Sequence, residues 1–369
     1  MNVPSRKNRR RRSSTTRNIM LISAAATAAS AGAAVAGYQL YRRARTRESL
    51  AGKIVLITGG SRGLGLALAQ EFASRGARIA ICARDEEELQ RAKDLLASSG
   101  ADVFTHVCDI SVQDEVFNLV NAVTTHFGRI DVLVNNAGVI TVGPLESQTL
   151  TEFQEAVDIM YWGAVYPSLA VLPQMRSRGH GNIVTITSIG GKVSVPHLLP
   201  YCGAKFAAVG FSEGLRSEVA QDGIEVTTVV PGLMRTGSHQ RAYFKGKHEQ
   251  EYTWFALGAT LPGVSIGARR AARKIVSAVQ VGQAEIVLTP QAKLMTRFHG
   301  LFPTITSKLF GVVNRMLPSP EGDPRQRWLG MESKTAVTQS FLTKLGRDAA
   351  TELNQHSGRE PRVSSSKAS

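Results

Sequence analysis

The stretch KIVLITGGSRGLGLALAQEFASRG, residues 53–76, decides the fold of this chain. It starts with an apolar run that is typical of a buried parallel strand, and glycines end that run. Apolar residues then recur at helical spacing from Leu64, and the pattern stops at Gly76. A strand, a glycine-rich turn and a helix in this order predict the first unit of an α/β sheet.

The glycine-rich turn TGGSRGLG, residues 58–65, predicts a binding site for a dinucleotide. Its glycines allow a tight turn and a close approach of a pyrophosphate, and the helix that follows offers free N–H groups and a favourable dipole. A glycine turn without a ligand is the alternative, but the position between a buried strand and a helix favours the nucleotide. We expect cofactor contacts from Gly59, Ser61, Arg62, Gly63, Leu64 and Gly65.

The alternation of strand and helix continues to residue 288. Helical patterns, including long ones over 151–178 and 200–221, separate apolar runs at 77–83, 102–109, 130–138, 181–188, 224–232 and 284–288. Right-handed crossovers leave few topologies open to such a pattern. We predict an α/β fold with a doubly wound parallel sheet (Rossmann) of about seven strands. A single catalytic domain would span residues 48–290, with a C-terminal helical extension.

The tip of the second strand favours NADP over NAD as the cofactor. Sheets of this kind that prefer NAD usually carry an acid at this tip, which binds the ribose 2′-hydroxyl. Here the tip reads Cys82, Ala83 and Arg84, and Asp85 is well placed as a helix N-cap instead. Guanidinium groups from Arg62 and Arg84 would bind a 2′-phosphate through bidentate contacts. The alternative is that both arginines are simply solvated.

Three polar side chains predict the chemistry. Tyr201 and Lys205 lie one helical turn apart in YCGAKFA, and Ser188 ends a predicted strand where a ligand would meet it. A lysine cation favours the phenolate, so the tyrosine hydroxyl becomes usable as an acid or base near neutral pH. A serine hydroxyl can hold and polarise a carbonyl oxygen. The set suits hydride transfer between nicotinamide and a carbonyl or alcohol carbon, whereas the alternative for YCGAKFA is an ordinary buried helix.

The chain resembles the short-chain dehydrogenase/reductase family over about residues 51–290. The resemblance rests on motifs in the family's order and at plausible spacing: TGGSRGLG (58–65), NNAG (135–138), Ser188, YCGAK (201–205) and PGLMRT (231–236). It implies that Tyr201 is the catalytic acid or base, that Lys205 lowers its pKa and binds the nicotinamide ribose, and that Ser188 orients the substrate carbonyl. It also implies cofactor contacts from Asp109 near the adenine, Asn136 along the cofactor, and Pro231 and Thr236, the latter at the nicotinamide carboxamide.

One position departs from the family pattern. Many members carry an asparagine in the long helix, and it anchors a water that passes protons to the active lysine. In VDIMYWGAV, residues 157–165, that position is Met160, whose sulfur is at most a weak acceptor and cannot donate. Two hypotheses follow. The chain is an NADP-dependent oxidoreductase whose relay runs through other waters, or a nucleotide-binding sensor or scaffold with weak or no turnover.

The basic excess of the chain belongs to its N-terminal arm. The formal net charge is +15, yet residues 1–47 hold eleven Lys and Arg and no acid. A basic arm, 1–17, precedes an uncharged run, 18–41, which is long enough to span a bilayer. We expect a membrane anchor with the catalytic domain on a cytosol-like side. A cleaved signal for export or for an organelle, or a surface-lying or disordered extension, are the alternatives. The balanced remainder argues against a nucleic-acid partner.

Three further segments follow the sixth predicted strand. Residues 236–265 lack clear periodicity and are predicted to form a substrate lid. Residues 291–317 are amphipathic and broken at Pro303, as expected of a helix packed on the body or of a membrane-facing or gating element. The tail, residues 318–369, is rich in Pro, Gly, Ser and charge and is predicted to be largely disordered.

The expected partner is a small carbonyl or alcohol substrate. The lid and the apolar N-terminal run favour a lipophilic compound, although the lid also carries many polar groups. The two long helices could pair between subunits, as in many members of the family, so a homo-oligomer is expected. Three cysteines without CxxC spacing and eight histidines without a ligand motif predict neither a disulfide framework nor a metal site.

Overall fold

The computed structural model describes Gly37, residues 47–261 and residues 263–355. From Ser49 onward the described residues belong to one compact unit. The predicted basic arm and, apart from Gly37, the predicted apolar segment 18–41 lie outside the described residues, as does the chain from residue 356. Within the described ranges, no helix is both long and apolar enough to cross a membrane.

The regular elements of the described ranges follow one another in the predicted alternation. The strands are β1 (Ile54–Thr58), β2 (Arg78–Ala83), β3 (Val103–Val107), β4 (Val132–Asn135), β5 (Thr141–Val142), β6 (Gly181–Ile186), β7 (Ile224–Val230), β8 (Met234–Arg235), β9 (Tyr243–Phe244), β10 (Ile266–Gly267), β11 (Glu285–Val287) and β12 (Trp328–Leu329). The α-helices are α1 (Gly63–Ala73), α2 (Glu86–Ala97), α3 (Gln113–Phe127), α4 (Leu150–Val157), α5 (Gly163–Arg178), α6 (Leu199–Glu218), α7 (His248–Thr260), α8 (Ala268–Val279), α9 (Pro290–Leu301), α10 (Pro303–Asn314), α11 (Ala336–Gln339) and α12 (Lys344–Glu352).

Seven strands form the central sheet in the order β3-β2-β1-β4-β6-β7-β11, and every neighbouring pair is parallel. The chain runs outward from β1 to one edge and then, through β4, to the other. A crevice opens at the carboxyl ends of the strands where this direction reverses. The predicted doubly wound sheet of seven strands is therefore confirmed, and so is a helical extension after it.

Alternate side chains of β1 enter two cores on opposite faces of the sheet. Val55 and Ile57 belong to the core formed with α1, α2 and α8. Ile54 and Leu56 belong to the core formed with α3, α5 and α6. All four side chains are almost completely buried. Burial on both faces explains why this strand is an uninterrupted apolar run rather than an alternating one.

The long helix predicted over 151–178 is interrupted near its middle. Helices α4 and α5 are joined by a π-helical turn, Asp158–Trp162, which carries Met160. The Met160 side chain is buried in the core beside α6. Single π-helical turns within α-helices occur frequently at functional sites. The position that departs from the family pattern therefore also has an unusual backbone.

The predicted lid, residues 236–265, is more regular than the sequence indicates. Its helix α7 buries Tyr252, Phe255, Ala256 and Ala259, which recur at helical spacing. The same face also buries Glu251, whose carboxylate accepts hydrogen bonds from His197 and Trp254. This buried charge hides the amphipathic pattern. The segment therefore contains a helix that its sequence pattern does not reveal, and its role as a lid stays a prediction.

The predicted disorder of the tail is wrong for much of residues 318–355. Strand β12 pairs with β9, which in turn pairs with β5, so lid and tail share a small sheet. Helix α12 then packs on α7. Small residues make these contacts possible: a Cβ on Gly330 would lie 2.1 Å from the His239 carbonyl oxygen, and one on Gly346 would lie 2.2 Å from Thr260. Close packing of the tail at these two glycines, against the His239 backbone and the Thr260 side chain, accompanies its order.

Candidate active site

A cleft of about 480 Å³ lies at the carboxyl ends of the central strands. It follows directly from the reversal of strand order, because the loops after β1, β2, β3 and β4 converge there. Most of the predicted site residues line it: Gly59, Ser61, Arg62, Gly63, Leu64, Gly65, Arg84, Asp109, Asn136, Tyr201, Lys205 and Thr236.

The glycine-rich turn fits a pyrophosphate because it brings the N-terminus of α1 to the cleft without side chains in the way. Gly59 and Gly63 have positive φ angles of 63° and 57°. A Cβ on Gly65 would lie 2.1 Å from the Gly59 carbonyl oxygen, so no other residue fits there. The N–H groups at the start of a helix have no acceptor within it, and those of this turn that the fold does not already engage are available to an anion.

Asn136 holds this turn from the neighbouring strand. Its side-chain amide donates to the carbonyl oxygens of Thr58 and Gly59, both at 3.0 Å, and its backbone N–H donates to the Thr58 hydroxyl. The residue therefore lines the cleft, as predicted, and also fixes the glycine turn against β4. Sequence reasoning alone did not suggest this second contribution.

The buried carboxylate of Glu88 organises the end of the cleft beside the glycine turn. It accepts hydrogen bonds from Arg62 at 2.6 and 2.9 Å and from Arg241 at 2.8 Å, and Ser61 donates to it at 3.3 Å. Its side chain is only 3 % exposed. The pairing of Glu88 with Arg241 could not be predicted from the sequence, because 152 residues lie between them and no local motif joins them.

Arg84 has a longer ion pair than Arg62. Its guanidinium lies 3.8 Å from the Asp109 carboxylate, and 47 % of its side chain is exposed. Asp85 accepts a hydrogen bond from the Glu88 backbone N–H at the start of α2, so it is the N-cap that the sequence predicts. The acid closest in sequence to the strand tip is therefore engaged by the helix.

The end of the described chain forms a wall of the cleft, which the sequence analysis did not anticipate. The Gly63 N–H donates to the Leu353 carbonyl oxygen at 2.9 Å. The Asn354 side chain donates to the carbonyl oxygens of Ser61 and Glu88, at 2.9 and 3.0 Å. Gln355 is 2 % exposed, lines the cleft, and has a side-chain oxygen without a hydrogen-bond partner among the described residues. A positive φ of 56° at Asn354 allows this path.

Tyr201, Lys205 and Ser188 come together at the other end of the cleft. Tyr201 and Lys205 lie one turn apart on α6, and the Lys205 nitrogen is 5.9 Å from the Tyr201 ring centroid. Lys205 donates to the Ile186 carbonyl oxygen at 2.8 Å, which fixes it beneath β6. Ser188 follows β6, and its hydroxyl accepts a hydrogen bond from the Gly190 N–H at 3.0 Å. It lies near enough to Tyr201 to act on the pKa of that phenol.

Burial shifts the pKa values of Tyr201 and Lys205 in this cluster. It raises the pKa of Tyr201 to about 12, and the hydrogen bond with Ser188 acts in the opposite direction. Burial also lowers the pKa of Lys205 to about 8. At neutral pH the phenol is therefore protonated and the lysine is mostly a cation. A protonated hydroxyl beside a buried cation can donate a proton and stabilise the phenolate that remains.

Met160 borders the same cluster. A Cβ on Gly138 would lie 3.6 Å from the Met160 sulfur and 3.8 Å from the Lys205 nitrogen, so the three residues meet. A thioether beside the ammonium fills space without offering a proton path. The geometry agrees with the expectation that a proton relay through this position is lost.

The last two predicted cofactor residues differ in their placement. Thr236 is buried at the cleft wall, and its hydroxyl donates to Ser238 at 2.9 Å. Pro231 lies behind the cleft, where its carbonyl oxygen accepts from the Ile189 N–H at 2.7 Å. That bond ties the end of β7 to the turn after Ser188, so Pro231 positions this turn.

Comparison with known proteins agrees with this geometry. The sequence profile of a family described as short chain dehydrogenase matches residues 53–245, about half of the chain. The chain belongs to the short-chain dehydrogenase family. The resemblance that its motifs indicate is thereby confirmed. Members of this family are NAD(P)-dependent oxidoreductases that act on alcohol and carbonyl groups, which is the predicted class of enzyme.

Three members of the short-chain dehydrogenase family show how far the likeness extends. An 11-beta-hydroxysteroid dehydrogenase 1A of Arabidopsis thaliana is 37% identical over 204 residues, which are 55% of this chain and 58% of that protein. The putative oxidoreductase SadH of Mycobacterium tuberculosis is 33% identical over 252 residues, 67% of this chain and 89% of that protein. A short-chain dehydrogenase structure from Streptomyces avermitilis is 30% identical and has a TM-score of 0.62. The match covers 72% of this chain and 97% of that one.

Replacing Asn354 with glycine should weaken nucleotide binding. Glycine keeps the left-handed backbone but removes the hydrogen bonds to Ser61 and Glu88. Loss of these bonds frees the glycine turn, so we expect the Kd for NADPH to rise by about tenfold, as for one or two lost hydrogen bonds. Fluorescence titration of the full chain measures it. Thr351→Ala, on the exposed face of α12, is the control, and equal Kd values for both variants would contradict the assignment.

Proposed function

We propose that this protein is an NADP-dependent oxidoreductase that transfers a hydride between nicotinamide and a carbonyl or secondary alcohol. The observation that carries the proposal is the cluster of Ser188, Tyr201 and Lys205 at one end of a cleft whose other end has a glycine turn and arginines. Family membership supports the reaction class.

The chain's own residues would bind the cofactor and handle the proton. The N-terminus of α1 holds the pyrophosphate, and Lys205 holds the nicotinamide ribose. When bound, the nicotinamide supplies or accepts the hydride. Ser188 donates a hydrogen bond to the substrate carbonyl oxygen. Tyr201 donates its proton to that oxygen in reduction, and the Lys205 cation stabilises the phenolate. Oxidation of an alcohol reverses these steps.

The preference for NADP is part of the proposal. Glu88 is sequestered by Arg62 and Arg241, and Asp85 caps α2, so neither carboxylate is free to select a ribose 2′-hydroxyl. Arg84 has only a long ion pair and can turn towards a phosphate. A 2′-phosphate carries close to two negative charges and gains charge-assisted hydrogen bonds from such guanidinium groups.

The alternative of a sensor or scaffold is not favoured. It rests on Met160 alone, whereas the serine, tyrosine and lysine of the proposed cluster are all present and near one another. Met160 borders Lys205, whereas the proton to be transferred belongs to the hydroxyl of Tyr201. Loss of the relay is therefore expected to slow the resupply of protons rather than to prevent the transfer.

We propose further that the carbonyl or alcohol substrate is lipophilic. Apolar and aromatic side chains line the cleft from the loop after β4, the π-helical turn, the lid and the tail, namely Val139, Ile140, Ile159, Tyr243 and Leu329. The matched relative from Arabidopsis thaliana is named for a hydroxysteroid. The predicted homo-oligomer, the membrane anchor at 18–41 and the cytosol-like location stay predictions.

Tyr201→Phe should abolish turnover and leave binding intact. The phenyl ring keeps the packing but has no proton to donate, so we expect NADPH oxidation with a panel of lipophilic ketones to fall about 100-fold or more. The Kd for NADPH should not change. Tyr166→Phe on α5, outside the cleft, is the matched control. Met160→Asn tests the rival hypothesis: a silent parent and an active Met160→Asn variant would favour the sensor.

Arg84→Ala should change the nucleotide preference. Removal of a guanidinium that contacts the 2′-phosphate is expected to raise the Kd for NADPH about tenfold while that for NADH stays the same. Arg176→Ala is the control, because Arg176 is also half exposed and paired with an acid, Asp222, outside the cleft. Equal effects of Arg84→Ala on both nucleotides would contradict the preference for NADP.

The rate of carbonyl reduction should fall as the pH rises through about 8. Lys205, whose pKa burial lowers to about 8, is a cation below that pH and neutral above it. The phenolate loses its stabilising charge when the lysine is neutral. The pKa of Tyr201 lies far higher, so its proton stays available. The pH profile of kcat measures the break, which should vanish in Lys205→Met; a break that persists there belongs to another group.

A further inference from the structure

Helices α9 and α10 leave an unusually large apolar surface uncovered. Each has twelve residues, and each buries just one of them, Ala292 and Thr306. We call residues 290–316 the apolar helix pair. Large apolar side chains in the pair that remain exposed are Leu294, Met295, Phe298, Leu301, Phe302, Ile305, Leu309, Val312, Val313 and Met316. Several are more than half exposed, including Leu301 at 73 % and Met316 at 82 %.

These side chains form a stripe on each helix rather than a scatter. Leu294, Phe298 and Leu301 follow one another at intervals of four and three residues, and Ile305, Leu309 and Val312 do the same. Such spacing puts each set on one face of its helix. Apolar patches of this extent on a soluble surface mark an interaction site.

The charge beside the stripes has one sign. Lys293, Arg297, Lys308 and Arg315 are all exposed. From residue 286 to residue 320 the chain has no Asp or Glu. Four exposed cations within the helix pair would repel the same residues of a second copy, so the pattern disfavours a symmetric contact between two chains. Apolar stripes with flanking lysines and arginines match the acyl chains and headgroups of an anionic lipid surface.

The root of the helix pair is firmly attached beside the substrate end of the fold. The Ala292 N–H donates to the Thr289 hydroxyl, which caps α9. A Cβ on Gly232 would lie 2.7 Å from the Thr289 hydroxyl oxygen and 3.4 Å from Ala292, so the pair starts against the loop after β7. Gln291 also donates to the Gly263 carbonyl oxygen. The exposure of the stripes therefore does not come from a loosely attached segment.

We propose that the apolar helix pair docks on an anionic phospholipid surface. The stripes enter the boundary between headgroups and acyl chains, and the four cations pair with lipid phosphates and carboxylates. This surface lies within residues 290–316 and is independent of the predicted anchor at 18–41 and of the proposed oxidoreductase activity.

A fluorescent label on the helix pair tests this docking in the full chain. Leu301→Cys provides the labelling site, because the three native cysteines are at most 1 % exposed. An environment-sensitive dye there reports on the pair itself, even if residues 18–41 also bind lipid. We expect blue-shifted emission and quenching by spin-labelled lipid with vesicles of phosphatidylcholine and phosphatidylserine. Vesicles of phosphatidylcholine alone should give a much weaker response.

Charge reversal separates specific docking from general attraction. In the labelled chain, Lys293→Glu with Arg297→Glu should weaken vesicle binding by about tenfold or more, as expected for lost headgroup contacts. The matched control reverses Arg270 and Arg273, two exposed arginines of α8. That control should change binding less than about twofold, because its charges lie away from the lipid contact.

Three results would overturn the proposal. The first is no emission change with the anionic vesicles. The second is equal weakening by the two pairs of charge reversals. The third is an emission shift without vesicles that grows with protein concentration, since a second copy would then cover the face.

Discussion

The architecture depends on one close approach, the contact of Gly65 with the Gly59 carbonyl oxygen. Because a Cβ at Gly65 would lie 2.1 Å from that oxygen, the turn closes only with glycine. The turn sends α1 back against β1 and brings its free N–H groups to the carboxyl ends of the strands. Asn136 fastens the turn on one side, and Leu353 and Asn354 fasten it on the other. The cleft therefore has walls from both ends of the described fold.

Burial of charge connects this architecture to the proposed chemistry. Lys205 lies almost fully buried, and its position below Ile186 is fixed by a single backbone hydrogen bond. Holding a cation there costs stability, which is why its pKa drops to about 8. The same cation would lower the free energy of a nearby phenolate during proton transfer. Glu88, at the other end of the cleft, is a buried charge with partners of opposite charge: the guanidinium groups of Arg62 and Arg241 donate hydrogen bonds to its carboxylate.

Local patterns predicted the sheet, the glycine turn and the catalytic cluster because each is encoded within a few residues. The apolar run of β1, the spacing of Tyr201 and Lys205, and the N-cap at Asp85 need no distant partner. The order of the tail could not be predicted in this way. It comes from tight contacts at Gly330 and Gly346 with distant residues, and its composition lacks the apolar face that usually indicates folding. The pairing of Arg241 with Glu88 could not be predicted either, because it also joins residues that are far apart in the sequence.

The most direct test of the account follows a deuterium label from the cofactor. NADPH deuterated at the reactive nicotinamide carbon is incubated with the full chain and a lipophilic ketone, and the alcohol product is analysed by mass spectrometry and NMR. If the chain transfers a hydride as proposed, deuterium appears on the carbinol carbon of a single enantiomer, because the cleft would present one face of the ketone to the cofactor. Tight binding of NADPH without label transfer to any carbonyl, or an unlabelled alcohol, would contradict the account.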